Sequence, residues 1–264
     1  LTSPDAKGTL KPGVPVGILI LRAAAGEWIE ITLTNAFDPT QAAFNQSPAL
    51  TPFTGPPLPA ITMPASTLVG LNPQVVGYDI TSANGVNVGF NPTVTVAPGK
   101  TAAPIYWYAG TLAWVNGELK ATPVELGGIN LNPADPLVQH TLGLIGGLVI
   151  EPEGSTWTED QNMRSAATVT KADGTTFRDF VMICQDDVPL LPLVPISAPN
   201  GNVTTRAVNY RTEPMSYYRF PGQVGGNTDV TKATANVLVG PPPRGADPQT
   251  PIFTATAGSE VRFR

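Results

Sequence analysis

The sequence predicts an all-β protein, a β-sandwich with Greek-key connections. Three observations lead to this fold class. Short apolar or alternating runs of strand length recur along the chain, and no run has the period of an amphipathic helix. The 29 prolines and 26 glycines among 264 residues supply turns throughout. They follow no collagen-like or low-complexity period, so they separate many short strands.

The first predicted strand covers residues 17–23 and ends at the turn Ala25-Gly26-Glu27. Residues 28–35 then alternate strictly between apolar and polar side chains, which predicts a strand with one buried face. The apolar members of that face are Ile29, Ile31 and Leu33.

Prolines govern the next stretch. Six prolines lie between residues 48 and 64, and each removes a backbone donor, so we expect a long surface loop there and no central strand. Strands follow at residues 75–80, 92–96, 103–109 and 142–150, with a tight turn at residues 97–100.

The pattern changes after residue 153. From there it loosens into a polar connection, with predicted strands at residues 177–184, at about 203–210 and at the very end. We therefore divide the chain into a first sandwich domain, residues 1–153, and a second part, residues 154–264, which holds the connecting segment and the opening strands of a second sandwich.

That last assignment depends on an internal repeat. Residues 252–264 repeat the pattern of residues 20–32, and both read as strand, Ala-Gly turn and alternating strand. An isolated hairpin is marginally stable in water. The rest of the second sandwich is therefore expected from further sequence or from a second chain, unless the repeat is a coincidence.

Composition excludes some classes of partner. Charged residues make up 13% of the chain and the net charge is −5, with no cluster of Lys and Arg, so nucleic acids and anionic membranes are not expected partners. No run reaches the roughly 18 apolar residues of a membrane span. The start at Leu1, without Met or a signal-peptide pattern, looks processed or truncated.

Several segments together carry a resemblance. The most specific is residues 143–152, Gly-Leu-Ile-Gly-Gly-Leu-Val-Ile-Glu-Pro, and it occurs with the Ala-Gly strand pair and with residues 96–99 followed by 106–109, 123–135 and 208–214. The chain resembles the large bacterial multicopper oxidases, including manganese-oxidase-like members, over nearly its whole length.

The resemblance implies cupredoxin-like sandwiches in an extracytoplasmic protein, secreted or periplasmic. It also implies an oxidase that removes electrons from a metal ion or an organic substrate at a type 1 copper and reduces dioxygen to water at a trinuclear copper cluster.

The residue counts do not allow a copper site in this chain. The family's His-x-His signature is absent, and the chain has one histidine, His140, and one cysteine, Cys184. A blue-copper site needs two imidazoles and a thiolate, and a typical zinc site needs three or four such ligands. We carry over no copper ligand. His140 stays a candidate for one ligand of a shared metal site or for a proton carrier, against the reading of an ordinary residue.

Other candidate sites have two readings each. The pairs Glu159-Asp160 and Asp186-Asp187 fit an acid–base pair or a calcium site, or else solvated loop charges. The cluster Tyr106-Trp107-Tyr108 fits a stacking platform for a sugar or phenol, or else core and rim packing. Cys184 ends an apolar strand, where it is expected to pack as a small hydrophobic residue, or else to have a redox role. No serine-hydrolase elbow, phosphate loop or dinucleotide fingerprint occurs.

Two functions follow from the sequence. The leading hypothesis is the N-terminal, non-ligating part of a multicopper oxidase, with copper held by the full protein but none by this segment, and with the remaining cupredoxin domains or a second chain as partners. The alternative is a copper-free cupredoxin-like binding or surface-assembly module with no enzymatic activity, completed by strand addition from a partner.

Overall fold

The computed structural model describes residues 18–37, 49–50, 61–62, 66–87, 90, 93–136, 139, 144–161, 163–185, 207–208 and 253–264. This part of the chain is all-β, which confirms the predicted fold class. No helix in these ranges is long and apolar enough to cross a membrane. The strands are β1 (Leu19–Ala24), β2 (Trp28–Ile31), β3 (Ala49–Leu50), β4 (Ile61–Thr62), β5 (Leu71–Pro73), β6 (Gly77–Tyr78), β7 (Ile105–Tyr108), β8 (Gly110–Val115), β9 (Glu118–Pro123), β10 (Gly127–Pro133), β11 (Gly146–Glu151), β12 (Thr156–Asp160), β13 (Met163–Thr170), β14 (Thr176–Phe180), β15 (Cys184–Gln185), β16 (Ala207–Val208) and β17 (Val261–Phe263).

The N-terminal sheet is central to the described structure. Its strand order is β1-β11-β10-β5, with β1 parallel to β11 and the other pairs antiparallel. Every residue of β11 is buried. A continuous apolar run predicts a strand covered on both faces, and the strand predicted at residues 142–150 is confirmed over Gly146–Glu151.

One face of the N-terminal sheet packs against the aromatic sheet, whose strand order is β2-β7-β6. The contact is apolar, as expected for the core of a sandwich. Trp107 is fully buried in it and donates its indole N–H to the carbonyl of Ala83 at 3.0 Å. The alternation predicted for β2 is confirmed, because Ile29 and Ile31 pack on this core while Trp28 and Glu30 are exposed.

A hairpin of β8 and β9 was not predicted, although its sequence signal is strong. Asn116 and Gly117 form its turn with φ of 54° and 84°, and Asn-Gly is the preferred pair for a two-residue turn with both φ angles positive. Leu112 of the hairpin lies directly over Gly77, where a Cβ would stand 2.5 Å from the Leu112 Cγ.

The C-terminal sheet corrects one expectation. The stretch between residue 153 and the strand predicted at residues 177–184 was expected to be a polar connection, but it holds β12 and β13, which form an antiparallel meander with β14. The strands predicted at residues 177–184 and at the very end are confirmed over Thr176–Phe180 and Val261–Phe263, and β17 adds to β14 in parallel. The burial signal of β13 is weak in sequence because two of its buried residues are alanines, Ala166 and Ala167, which carry little hydrophobic surface. The division of the chain after residue 153 stays a prediction.

Other predicted strands are shorter than expected. Of the strand predicted at residues 92–96, the described residues 93–96 contribute only an isolated bridge between Val69 and Val96. The strand predicted at residues 75–80 reduces to β6, since Val75 has a φ of 57°. The tight turn at residues 97–100 is confirmed, with Lys100 N–H donating to the Ala97 carbonyl at 3.1 Å. The pairs β3–β4 and β15–β16 contain two residues per strand.

Candidate functional site

The second face of the N-terminal sheet carries charge as well as apolar side chains. Ile20 and Val149 belong to a small apolar cluster with Val181, which follows β14. Arg22 and Glu151 lie two residues further along β1 and β11, so they share this face. The face therefore brings buried ionisable groups against the C-terminal sheet.

Arg22 connects the two sheets through one nitrogen. Its Nη1 donates to a carboxylate oxygen of Glu151 and to Oδ2 of Asp179 on β14, the latter at 2.7 Å. The side chains of Arg22, Glu151 and Asp179 are 1%, 0% and 0% exposed, so these charges are removed from water. Buried charges are stable only when paired and hydrogen-bonded, and here the pairing crosses from one sheet to the other.

Arg264 completes the arrangement from the end of β17. Its Nε donates to Oδ1 of Asp179 at 2.9 Å, and its Nη2 donates to Oε1 of Glu125 at 3.0 Å. The same Nη2 lies 3.7 Å from Oε2 of Glu151. We call Arg22, Glu125, Glu151, Asp179 and Arg264 the junction network.

Backbone hydrogen bonds also hold Arg264 in place. Arg264 N–H donates to the Phe180 carbonyl at 2.8 Å, and the Arg264 carbonyl accepts from Met182 N–H at 2.9 Å. Two glycines of β10 make room for it, since a Cβ on Gly127 would stand 2.9 Å from Nη1 and one on Gly128 would stand 3.0 Å from the Arg264 Cβ. The network is therefore built on β1, β10, β11 and β14 together with β17.

Burial dominates the protonation of Glu151. Desolvation and the nearby charge of Asp179 raise the pKa of Glu151 to about 7, against the opposing effect of Arg22 and Arg264. Nε and Nη2 of Arg22 and Oε2 of Glu151 make no hydrogen bond within the described part of the chain. Chemically, the network can hold or release one proton near neutral pH.

The ion pairs at the rim of the junction network are more exposed to solvent. Arg262 Nη1 donates to Glu125 at 2.7 Å and its Nε to Glu260 at 2.8 Å, while Lys171 Nζ donates to Glu260 at 3.0 Å. The Arg262 guanidinium also lies 3.9 Å from the centre of the Phe177 ring. These pairs fasten β17 to the loops beside it.

The metal-ligand candidate predicted from the sequence is His140. His140 lies outside the described residues, next to Gln139, whose amide donates to the carbonyls of Ser66 and Leu68 at 2.7 and 2.6 Å. Among the described residues no three His, Cys, Asp or Glu side chains group to hold a metal ion. With one histidine and one cysteine in the sequence, the donor set does not fit a type 1 or trinuclear copper site.

The other candidate residues do not come together in one site within the described part of the chain. Asp160 forms a two-pronged ion pair with Arg178, with Arg178 Nη1 2.7 Å from Oδ1, and Glu159 lies 3.9 Å from Arg164 Nε. These carboxylates therefore serve ion pairs of the C-terminal sheet. Asp186 and Asp187 lie outside the described residues. The packing predicted for Cys184 is wrong, because its side chain is exposed at the start of β15.

The cluster at residues 106–108 divides between two faces of the aromatic sheet. Trp107 points into the core, and Tyr106 and Tyr108 point to the outer face, as their alternation predicts. Tyr108 is nevertheless buried, because the ring of Trp28 covers it with the ring centres 5.1 Å apart. Tyr106 is half exposed, and the charge of Glu30 opposite raises its pKa.

Sequence reasoning missed the junction network. A signal was present at Arg22, which interrupts an otherwise apolar strand, and a charge in such a place implies a buried partner. The partners are far apart in sequence, so the pairing itself was not predictable. No protein-family model and no curated protein matches the chain.

Proposed function

We propose that this chain is the N-terminal, non-ligating part of an extracytoplasmic multicopper oxidase. In this proposal the copper ligands lie in other domains of the protein or in a second chain. This part contributes sandwich structure that packs against the catalytic domains and shapes the approach to them. The whole protein oxidises a metal ion or an organic substrate and reduces dioxygen to water.

One observation carries the proposal: a turn occurs twice with the same geometry. Gly26 and Gly258 occupy matching positions of the internal repeat and have φ of 92° and 88°. In the first turn Glu27 N–H donates to the Ala24 carbonyl at 3.1 Å, and in the second Ser259 N–H donates to the Thr256 carbonyl at 3.0 Å. Residues 253–256 form no strand, so the backbone repeats in the turn and in the strand after it and not in the strand before it. A turn that recurs in both sequence and backbone supports a protein built from successive sandwich units.

The strands after the two turns have different surroundings. After the first turn, Ile29 and Ile31 pack on the core beside β7. At the matching positions after the second turn, Val261 and Phe263 are 36% and 64% exposed. Large apolar side chains that are partly buried against a core in one copy of a repeat and exposed in the other suit a second sandwich that further strands complete.

The alternative function also has an observation in its favour. Among the described strands, β17 is paired only with β14, so its other edge can accept a strand from a partner chain. A copper-free cupredoxin-like module that assembles on a surface by strand addition would use this edge. Such a module would need neither copper nor oxidase activity.

The test is copper analysis of the protein isolated from its source with every accompanying chain retained. We expect several coppers per assembly and the visible absorption of a copper–thiolate bond. The matched control is the 264-residue chain produced alone, which should be colourless and free of stoichiometric copper. A copper-free, colourless native assembly would refute the oxidase proposal and favour the assembly module.

A further inference from the structure

The junction network places two buried carboxylates on one nitrogen of Arg22. Arg22 and Arg264 face Glu151, Asp179 and Glu125, while Arg262 binds Glu125 from the more exposed side. Glu151 and Asp179 both contact Nη1 of Arg22, so the two carboxylates are close neighbours. Two carboxylates that share one donor nitrogen repel each other strongly when both are charged and shielded from water.

We propose that the junction network is a pH-responsive clamp, in which proton uptake by Glu151 tightens the packing of the C-terminal sheet on the N-terminal sheet and proton loss loosens it. The charged groups that bear on Glu151 come from every element packed there. They are Arg22 on β1, Asp179 on β14, Arg264 after β17, and Glu125, which reaches Glu151 only through Arg264.

Of the two buried carboxylates, Glu151 is the one that titrates, because it accepts fewer hydrogen bonds than Asp179 does. Asp179 accepts from both arginines, at 2.7 and 2.9 Å, whereas Oε2 of Glu151 has only Arg264 Nη2 at 3.7 Å. A neutral Glu151 no longer repels Asp179, and it frees Arg22 to bind Asp179 without competition. Protonation therefore removes the repulsion and keeps the contact between the sheets.

The direction of the pH effect follows from linkage. The folded chain raises the pKa of Glu151 from 4.5 to about 7, so it binds this proton more strongly than the unfolded chain does. The resulting stabilisation is complete below the unfolded pKa and is lost as the pH rises through 7. The C-terminal strand is the element affected first, since Arg264 joins it to both sheets.

The decisive measurement is the titration of the Glu151 carboxyl carbon by ¹³C NMR in the intact, folded chain, assigned through its own side-chain signals. We expect a midpoint near neutral pH. A midpoint within the ordinary range of glutamate would overturn the proposal. This readout needs no variant, so it holds even if substitutions at the network prevent folding.

Urea unfolding provides the second measurement. From about pH 8 to about pH 5 the unfolding equilibrium constant of the wild-type chain should fall on the order of 50-fold. Glu151→Gln imitates the neutral form, and its unfolding constant should change little over this range. The matched control is Glu159→Gln, which alters an exposed glutamate 3.9 Å from Arg164 and should keep the wild-type pH dependence. An unchanged pH dependence in Glu151→Gln would contradict the clamp.

Discussion

The two faces of the N-terminal sheet are built from the same strands and work in different ways. Towards the aromatic sheet, β11 presents Leu148 and Ile150, which meet Trp107 in an apolar core. Towards the C-terminal sheet, the alternate residues of β11 are Val149 and Glu151, and the contact includes four charged side chains at least 86% buried. One strand thus takes part in an apolar interface and a charged one.

The apolar face contributes most of the stability, whereas the charged face specifies which residues must meet. Apolar contact is non-directional and roughly proportional to the area removed from water, so it is nearly independent of pH. The charged face contributes less net stability, because desolvation offsets much of the attraction. It instead requires that residues from distant parts of the chain meet within hydrogen-bond distance, and its strength follows the protonation of Glu151.

The largest effect is expected in the apolar face. Trp107→Ala should lower the free energy of unfolding by about 3–5 kcal/mol, because it removes a fully buried indole and its hydrogen bond to Ala83. Urea denaturation should give this loss at about pH 8 and about pH 5 alike. The control Trp114→Ala removes an indole that is 75% exposed and should cost under about 0.5 kcal/mol. Equal losses in the two variants would contradict the assigned core.

The charged face should respond to Arg22→Met with a loss of about 3 kcal/mol, since Glu151 and Asp179 both lose their shared donor while staying buried. Without Arg22 the pKa of Glu151 rises further, so the loss should be smaller at about pH 5.5 than at about pH 8. Arg164→Met, at an exposed arginine, serves as the control. Identical losses at both pH values would show that Glu151 does not respond to Arg22.

Local patterning is what made part of the fold predictable. The apolar run before the Ala25-Gly26 turn, the alternation of β2 and the continuous apolar β11 each follow from one segment's own sequence, and all three are strands in the structure. The turn of the repeat at residues 252–264 was also recognisable, because both copies have the Ala-Gly pair. In the structure both glycines have a positive φ.

The remainder depends on contacts between distant segments. β13 owes its burial to small residues such as Ala166 and Ala167 that face neighbouring strands, and no local pattern distinguishes them from a polar loop. The junction network joins residues 22, 151, 179 and 264, whose meeting is a property of topology. Among the missed strands, those of the β8–β9 hairpin had a clear local signal, the Asn116-Gly117 turn between them.

A smaller effect should come from filling the space beside Arg264 at the charged face. Gly128→Ala places a methyl group 3.0 Å from the Cβ of Arg264, which cannot swing aside as a side-chain tip could. We expect a loss of about 1–3 kcal/mol in urea denaturation, from overpacking. Gly147→Ala is the matched control, because its new methyl meets Ile20 and Ile183 at ordinary distances of 3.4 and 3.5 Å. A larger loss in the control would place the tight contact elsewhere.

The smallest effect is expected at an ion pair near the surface, which serves as a comparison for the buried junction network. Asp160 and Arg178 form a geometrically good pair, but their side chains are 27% and 15% exposed, so water and salt reach them. Asp160→Asn should cost about 0.5–1 kcal/mol in urea denaturation, and added salt should reduce this difference further. The loss in Arg22→Met should be much less sensitive to salt, because burial and not ionic screening sets the strength of the junction network. If salt weakened both effects equally, the junction would behave as a surface contact, and the contrast between the two faces of the N-terminal sheet would reduce to one of residue type alone.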